Sequence, residues 1–300
     1  MSKNEGVSVV IPAYNEEAGI LHEIRAIHDT FRSSGRPYEI IVVDDGSKDR
    51  TGELVEKEGS TKLIRHPTNR GVGAARKSGI WNSQYDIIVT TDGDGTYPND
   101  RMPELVDALD RYDMVVGART GKKVVVSWVR WPAKWFIRRL ACYLTRSYIP
   151  DLNSGLRAFR KRMALQYFYL LPDSHSWEAT ITLAYLCHHR TVLFIPIDYY
   201  KRKGKSSFHP ICDTYNYISL VIRTIMYFNP TRIFIPLSFS LGILGFGKMI
   251  FDYMFYGHIG GFDVILVTSA LLILCMGLLA DLMVVLHRKL DPPRGSPENP

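Results

Sequence analysis

Cysteine is scarce in this 300-residue chain. Cys142, Cys187, Cys212 and Cys275 stand far apart with no paired spacing, which argues against a disulfide framework or a cysteine zinc site and fits a reducing compartment. The N-terminal stretch MSKNEGVSVVIPAYNEE has only a short apolar run before Pro12, too short for a signal peptide, and none is expected. No repeat or low-complexity array occurs. A polar stripe of basic residues is also missing. The net charge is +7, but the lysines and arginines cluster beside aromatics and apolar runs. That balance argues against a nucleic-acid reader and for an anionic membrane face or a phosphorylated substrate.

What is present begins with alternating strands and helices. VSVVI (7–11) is β-branched and reads as a strand buried on both faces, which Pro12 is expected to end; a helical pattern follows over 16–34. YEIIVVDDGS (38–47) is a second strand, TGELVEKEG a helix and TKLIRHP a short strand. GVGAARKSGIWNS (71–83) reads as a helix begun at glycines, YDIIVTTDGDG as a strand, NDRMPELVDALDR as a helix and YDMVVGAR as a further strand. Such alternation predicts βαβ units on a largely parallel sheet, with ligands beyond the carboxyl ends of the strands. The polar punctuation sits at those ends: PAYNEE, DDGS, DGDG and GART.

Asp92 and Asp94 flank Gly93 at the end of an apolar run. In a strand, residues two apart point to one side, so the carboxylates are expected to converge and to need a positive charge. Hard oxygens there suit Mg²⁺ or Mn²⁺, which bind through one or two carboxylates plus substrate phosphates. A structural turn is the alternative. Asp44 and Asp45 could accept from a base N–H or from ribose hydroxyls; capping of the next helix by Ser47 or Asp49 is compatible with that. Tyr14 could stack on a base, and Glu16 sits at a helix start. Gly71 and Gly73 would favour either an anion at the helix N-terminus or close packing.

From 122 onward the character changes. VVVSWVRWPAKWFIRRLACYLTRSYI sets Trp128, Trp131 and Trp135 on one helical face among arginines and Lys134, as an interfacial helix over about 128–149 would; a core helix with a basic outer face is the alternative. A second interfacial helix is expected over 213–230. Two long apolar runs, 232–257 and 260–290, then approach the ~20 residues that cross hydrocarbon and predict an antiparallel transmembrane hairpin. Arg232 precedes them, and Arg288 and Lys289 follow, which puts both chain ends in the cytoplasm. Lys248 and Asp252, four apart, can pair on one helix face. A homo-oligomer packed through the hairpin would give Lys248, Asp252 and Asp281 their partners. A soluble helical hairpin is the alternative, and the tail from 291 to 300 is expected to be disordered.

The order VVIPAYNEE, IIVVDDGSKDRT, NRGVGAARKSG, TTDGDGTYP, VVGAR and DLNSGLRAFRK resembles the family 2 nucleotide-sugar glycosyltransferases of the GT-A fold, over residues 7 to about 210. YYKRKGKSSFHP and the apolar hairpin make it most similar to the polyprenyl-phosphate, or dolichyl-phosphate mannose synthase-like, subgroup. The resemblance implies an α/β, Rossmann-like cytoplasmic catalytic domain over 1–212, interfacial helices and a hairpin over 231–290 in the plasma membrane or its equivalent. It implies transfer of one sugar from a UDP- or GDP-linked donor to a polyprenyl or dolichyl phosphate. Pro12, Tyr14, Glu16, Asp44 and Asp45 would hold base and ribose, with Gly93 beside the donor. Asp92 and Asp94 would bind the metal, with Thr96 where relatives often carry glutamine. Arg119 and Arg130 would clamp the acceptor phosphate, though Arg138 and Arg139 compete with Arg130 for that alignment. Ser154 and Arg157 would shape the donor-sugar end, and Arg202, Lys205 and Ser206 would close over the diphosphate.

One more absence bears on mechanism. No paired acid such as ED appears around 150–178, where relatives with hydroxyl acceptors keep a base; Glu178 is the nearest candidate. A lipid phosphate is already an anion and needs none. Two rival readings remain at this stage: a glycan or lipid hydroxyl acceptor with Glu178 as base, and an inactive membrane scaffold.

Overall fold

A computed structural model describes residues 5–121, 138–143, 145–174, 176–200, 222, 226 and 229–290, without side chains for 287–290. Arg130, Arg202, Lys205, Ser206, the tryptophans of the first interfacial segment, nearly all of 213–230 and the tail lie outside these residues. The chain divides into two compact units, Met1–Val221 and Ile222–Pro300.

The first unit is built on a seven-stranded sheet in the order β3-β2-β1-β4-β6-β5-β7. Its strands are β1 (Val7–Ala13), β2 (Tyr38–Asp44), β3 (Lys62–Arg65), β4 (Ile87–Thr90), β5 (Met114–Ala118), β6 (Arg157–Arg160) and β7 (Val192–Pro196). All run parallel except β6, which is antiparallel to both β4 and β5. The central strands are apolar on both faces because both faces are covered. On one side α1 (Ile20–Ser34) and α4 (Met102–Ala108) pack Ile20, Ile24, Phe31, Met102 and Leu105 onto Val7, Val9 and Ile11. On the other, α3 (Val72–Trp81) lies so close that a Cβ on Gly79 would collide with Val10 and touch Val43. Helix α2 (Thr51–Glu58) follows β2, and α5 (Trp177–Cys187), buried along its whole length, precedes β7.

Two expectations about strand ends need correction. Pro12 does not end β1, which runs on to Ala13 in register with Asp44. Thr91 N donates to Val10 O from the β4 side, so Pro12, two residues on, turns its missing N–H to that same side. The β1–β4 ladder has run out there, and no hydrogen bond is lost. Conversely β4 stops at Thr90, short of the aspartates. Gly95 takes φ +75° and Thr96 N donates back to Asp94 Oδ1 at 3.2 Å, so the segment curls off the sheet as a turn.

The second unit is a helical hairpin of α6 (Thr231–Tyr256) and α7 (Gly261–Leu290), turned at Gly257 with φ +71°. The helices run antiparallel: a Cβ on Gly277 would strike Phe234, Ser238 Oγ donates to Ala270 O at 2.7 Å, and Gly245 faces Leu266 and Val267. Lys248 Nζ donates to Asp252 and, at 2.8 Å, to Asp263 Oδ1. Lys248 and Asp252 thus pair on one helix face as expected, and Asp263 of the second helix joins them. Thr231–Tyr256 and Gly261–Leu286, with mean hydropathy 1.7 and 2.5, are long and apolar enough to cross a membrane.

Candidate active site at the carboxyl edge of the sheet

Sheet register gathers the sequence motifs at one edge. β1, β2, β4 and β5 end there, and antiparallel β6 starts there, because Arg157 pairs with Thr90 on one side and Val116 on the other. The turn 92–96 after β4, Arg119 after β5 and the Ser154–Arg157 segment thus share an edge.

The first two loops are laced together. Asn15, at φ +55°, donates its N–H to Ser47 Oγ at 3.0 Å and accepts from Lys48 N at 2.8 Å through Oδ1. Glu16 N donates to Thr51 Oγ1 at 2.9 Å and Glu17 N to Asp49 Oδ2 at 3.1 Å. Asparagine tolerates the left-handed conformation better than most residues. Beside this platform Tyr14 is exposed and Pro12 buried. The two adjacent aspartates divide. Asp44 Oδ1 accepts from Ser47 N at 2.9 Å. Asp45 is buried, and its oxygens take His66 Nδ1 at 2.6 Å, Arg70 N at 3.0 Å and Gly71 N at 2.8 Å. Asp45, expected on a base or ribose, fastens the loop that leads into α3. The N-terminus of α3 is likewise closed to anions: Gly73 N and Ala74 N both donate to Asp173 O, and a Cβ on Gly71 would collide with that carbonyl. Close packing accounts for both glycines.

The turn 92–96 is held from several sides. Asp94 Oδ1 accepts from Thr96 Oγ1 at 2.6 Å, and Thr96 O accepts from Tyr200 N at 3.0 Å. Gly93 packs against Ile20 and Ile11. Buried Tyr97 accepts from Gly155 N at 2.7 Å through its hydroxyl and meets Tyr199 edge-on. Burial raises the Tyr97 pKa, so it stays a neutral phenol. The described chain reaches Tyr200 next to this turn; the basic segment carrying Arg202, Lys205 and Ser206 follows in sequence.

Arg119 lies over the Tyr199 ring and forks onto Asp151, Nε to Oδ2 at 2.7 Å and Nη2 to Oδ1 at 2.9 Å. Asp151 was not anticipated. Ser154 is buried and donates to Gly117 O at 2.5 Å, and Arg157 is fully buried under Trp177, donating to Ser154 O, Glu178 O and Thr182 Oγ1. Both brace the edge from within. Burial pulls the Arg157 guanidinium down to about 10, with Glu178 partly offsetting it.

The central finding is a residue the sequence did not single out. Arg76, buried in α3, donates through Nη2 to Asp92 Oδ1 at 2.7 Å and through Nη1 to Glu178 Oε1. Burial works against its charge, and Glu178 with Asp92 outweighs that and raises its pKa. Glu178 is thus half of a buried ion pair, not the open base that a hydroxyl acceptor requires.

Asp92 and Asp94 fit a divalent cation. They are hard donors in one turn, the Asp92 side chain is one-third exposed, and its carboxylate fills the hollow left by Gly155, where a Cβ would come within 2.8 Å of it. No group of three or more His, Cys, Asp or Glu suited to a metal occurs among the described residues, so an ion here would complete its shell with waters or phosphate oxygens.

Comparison with known proteins bears on the family and the fold. The model of Glycosyl transferase family 2 matches residues 8–168, and that of the GtrB C-terminal hairpin matches 229–286. An undecaprenyl-phosphate 4-deoxy-4-formamido-L-arabinose transferase of Pseudomonas paraeruginosa is 36% identical over 162 residues, 52% of this chain and 47% of that protein. The chain therefore spans about half the length of such relatives. A dolichyl-phosphate hexose transferase of Haloferax volcanii is 30% identical over 211 residues, 69% of this chain and 88% of that one. Glucosyl-3-phosphoglycerate synthase of Mycobacterium tuberculosis, solved with UDP, superposes with a TM-score of 0.59 at 20% identity, covering 74% of this chain and 80% of its own. The same enzyme with Mn²⁺, UDP and phosphoglyceric acid gives 0.57. The fold is the GT-A fold.

Proposed function

Because the chain belongs to glycosyl transferase family 2, we propose that it moves one sugar from a nucleoside-diphosphate sugar to a polyprenyl phosphate at a membrane surface. The observation that carries this reading is the Asp92–Asp94 turn at the carboxyl edge of a GT-A sheet, in a chain that ends in an apolar hairpin. The relatives named for undecaprenyl-phosphate and dolichyl-phosphate transfer support the acceptor, and the UDP and Mn²⁺ complexes of the structural neighbours support the donor class and a divalent ion.

In this reading the exposed Tyr14 and the laced 15–17 and 47–51 loops receive base and ribose, with Asp44 at the platform rather than Asp45. Asp92 and Asp94 hold Mg²⁺ or Mn²⁺. When bound, the ion neutralises the diphosphate as it leaves. The acceptor phosphate oxygen attacks the anomeric carbon, the bond from that carbon to the diphosphate oxygen breaks, and its electron pair departs with the nucleoside diphosphate. The result is inversion. A phosphate oxyanion brings no proton to remove, consistent with Glu178 being engaged by Arg76. Orientation and cationic surroundings do the work instead. Arg119, together with Arg130, Arg202, Lys205 and Ser206, supplies those surroundings. The apolar hairpin sits in the bilayer with both chain ends cytoplasmic, which tethers the catalytic unit to the membrane that carries a lipid phosphate.

The test is a donor panel. Purified protein in lipid, Mn²⁺ or Mg²⁺ and a short polyprenyl phosphate are mixed with labelled UDP- and GDP-sugars. One donor is expected to label the lipid, and chelation or Asp94→Ala is expected to stop it. Labelling by none of the donors, or full activity in Asp94→Ala, overturns the reading.

A further inference from the structure

Arg76 serves two carboxylates at once. A guanidinium with 1% of its side chain exposed needs one carboxylate to offset its desolvation. Glu178, itself buried, is sufficient for that. Asp92 is different: its side chain is one-third exposed. A purely structural ion pair has no use for it.

The hydrogen-bond inventory adds a second observation. Glu178 Oε2 and Arg76 Nε are both buried and have no partner among the described residues. Glu178 takes one hydrogen bond from Arg76, through Nη1, where an end-on fork would add Nη2 to its second carboxylate oxygen. The missing contact is the one given up by reaching for Asp92. Trp177, with its ring centroid 5.5 Å from Arg76 Cζ and 5.9 Å from Arg157 Cζ, covers both guanidinium groups. Arg157 does not compete for the carboxylates, because it donates to Ser154 O, Glu178 O and Thr182 Oγ1.

Asp92 is confined from the other side as well. A Cβ on Gly155 would stand 2.8 Å from Oδ2 and 2.9 Å from Oδ1, so the carboxylate lies against bare backbone. Between Gly155 and Arg76 its orientation is fixed, with Oδ1 committed to Arg76.

We propose that Arg76, anchored by Glu178, is a positioning residue that orients Asp92 for a divalent cation. The inference rests on the reading of Asp92 and Asp94 as the metal-holding pair.

Mn²⁺ binding to the full chain in lipid nanodiscs, without donor or acceptor, tests it by titration of the paramagnetic signal of unbound Mn²⁺. Glu178→Gln leaves Arg76 to Asp92 alone, and Arg76→Lys keeps the charge but loses the fork. Each is expected to weaken Mn²⁺ binding about 10-fold, as loss of an outer partner of a metal ligand does. Thermal unfolding of the same samples shows whether each variant is folded. Should a single variant fail to fold, the double variant Arg76→Met with Glu178→Leu replaces the buried pair by apolar side chains, and the same loss of affinity is expected. Mn²⁺ affinity within twofold of wild type in the folded variants overturns the proposal, whether or not turnover falls. Asp94→Ala separates the two ideas, since Asp94 makes no bond to Arg76. If that variant binds Mn²⁺ like wild type, the metal site itself is misplaced. If it loses Mn²⁺ while the Arg76 and Glu178 variants do not, only the positioning role fails.

Discussion

Arg119 and Asp151 meet through three hydrogen bonds, two from the guanidinium and one from the Arg119 backbone N–H at 3.0 Å. Burial alone would push the Asp151 carboxyl up; Arg119 and its hydrogen bonds more than reverse this and hold it down at about 2. A carboxyl depressed on folding contributes stability above its unfolded value, near 4, and loses it as pH falls through its folded value. Asp151→Asn is therefore expected to cost on the order of 2 kcal/mol of unfolding free energy at pH 7. The cost should shrink between about pH 4 and pH 2, and denaturant titrations across that range measure it. A cost that persists unchanged below pH 2 would assign the effect to packing instead. At this scale the sequence displayed what the carboxyl edge of the sheet offers and hid what holds it. Asp92, Asp94 and Arg119 stood out because they end apolar runs. Arg76 and Asp151 did not, because each acquires meaning from a partner far along the chain: Glu178 lies 102 positions from Arg76 and Asp151 lies 32 from Arg119.

The elements were legible where period and punctuation agreed. Helices over 20–34, 51–58 and 72–81 and the central strands follow from apolar spacing and β-branched runs. What escaped was the end of each strand, since an end is set by the neighbour. Pro12 is tolerated because the β4 ladder stops before it, and β4 ends at Thr90 because the next residues turn on Gly95. The antiparallel sense of β6 has no local signature at all. The lacing of the first two loops is a property of two elements together. Buried Thr51, the first residue of α2, accepts from Glu16 N and donates to Asp49 Oδ1 at 2.5 Å, so one hydroxyl ties α2 to the loop after β1. Thr51→Ala removes the acceptor of the half-buried Glu16 N–H and is expected to cost about 1 kcal/mol. Because that loop carries Tyr14, KM for the nucleotide donor should rise more than kcat falls. Steady-state kinetics beside a denaturant curve check both, and a stability loss with unchanged KM would separate the lacing from donor binding.

On the scale of the whole molecule, the question is which way the hairpin threads the bilayer. Each span of 26 residues is about 39 Å long at 1.5 Å per residue, more than the roughly 30 Å of hydrocarbon, so both can cross with some tilt. Two spans joined by a short turn return the chain to the side it left, so residues before Thr231 and after Leu290 share a side. The charges that decide the side are those near the ends of the spans. Arg232 begins α6, and Arg288 and Lys289 lie in the last turn of α7. Lys248, the cation nearest the turn in sequence, is balanced by Asp252 and Asp263, so the turn offers no excess positive charge. Tyr253, Phe255, Tyr256 and Phe262 flank the turn as exposed aromatics, suited to the opposite interface. In the proposed orientation, with both ends cytoplasmic, the catalytic unit would face the nucleotide sugars dissolved there. Single-cysteine variants, made after the native cysteines are replaced, read this directly. A cysteine at His258, in the turn, should react with a membrane-impermeant maleimide on intact cells, whereas one at Ser296 should react only after permeabilisation. The reverse pattern would place the catalytic unit outside, away from its donor, and labelling of both positions on intact cells would mean that the helices do not cross as a hairpin.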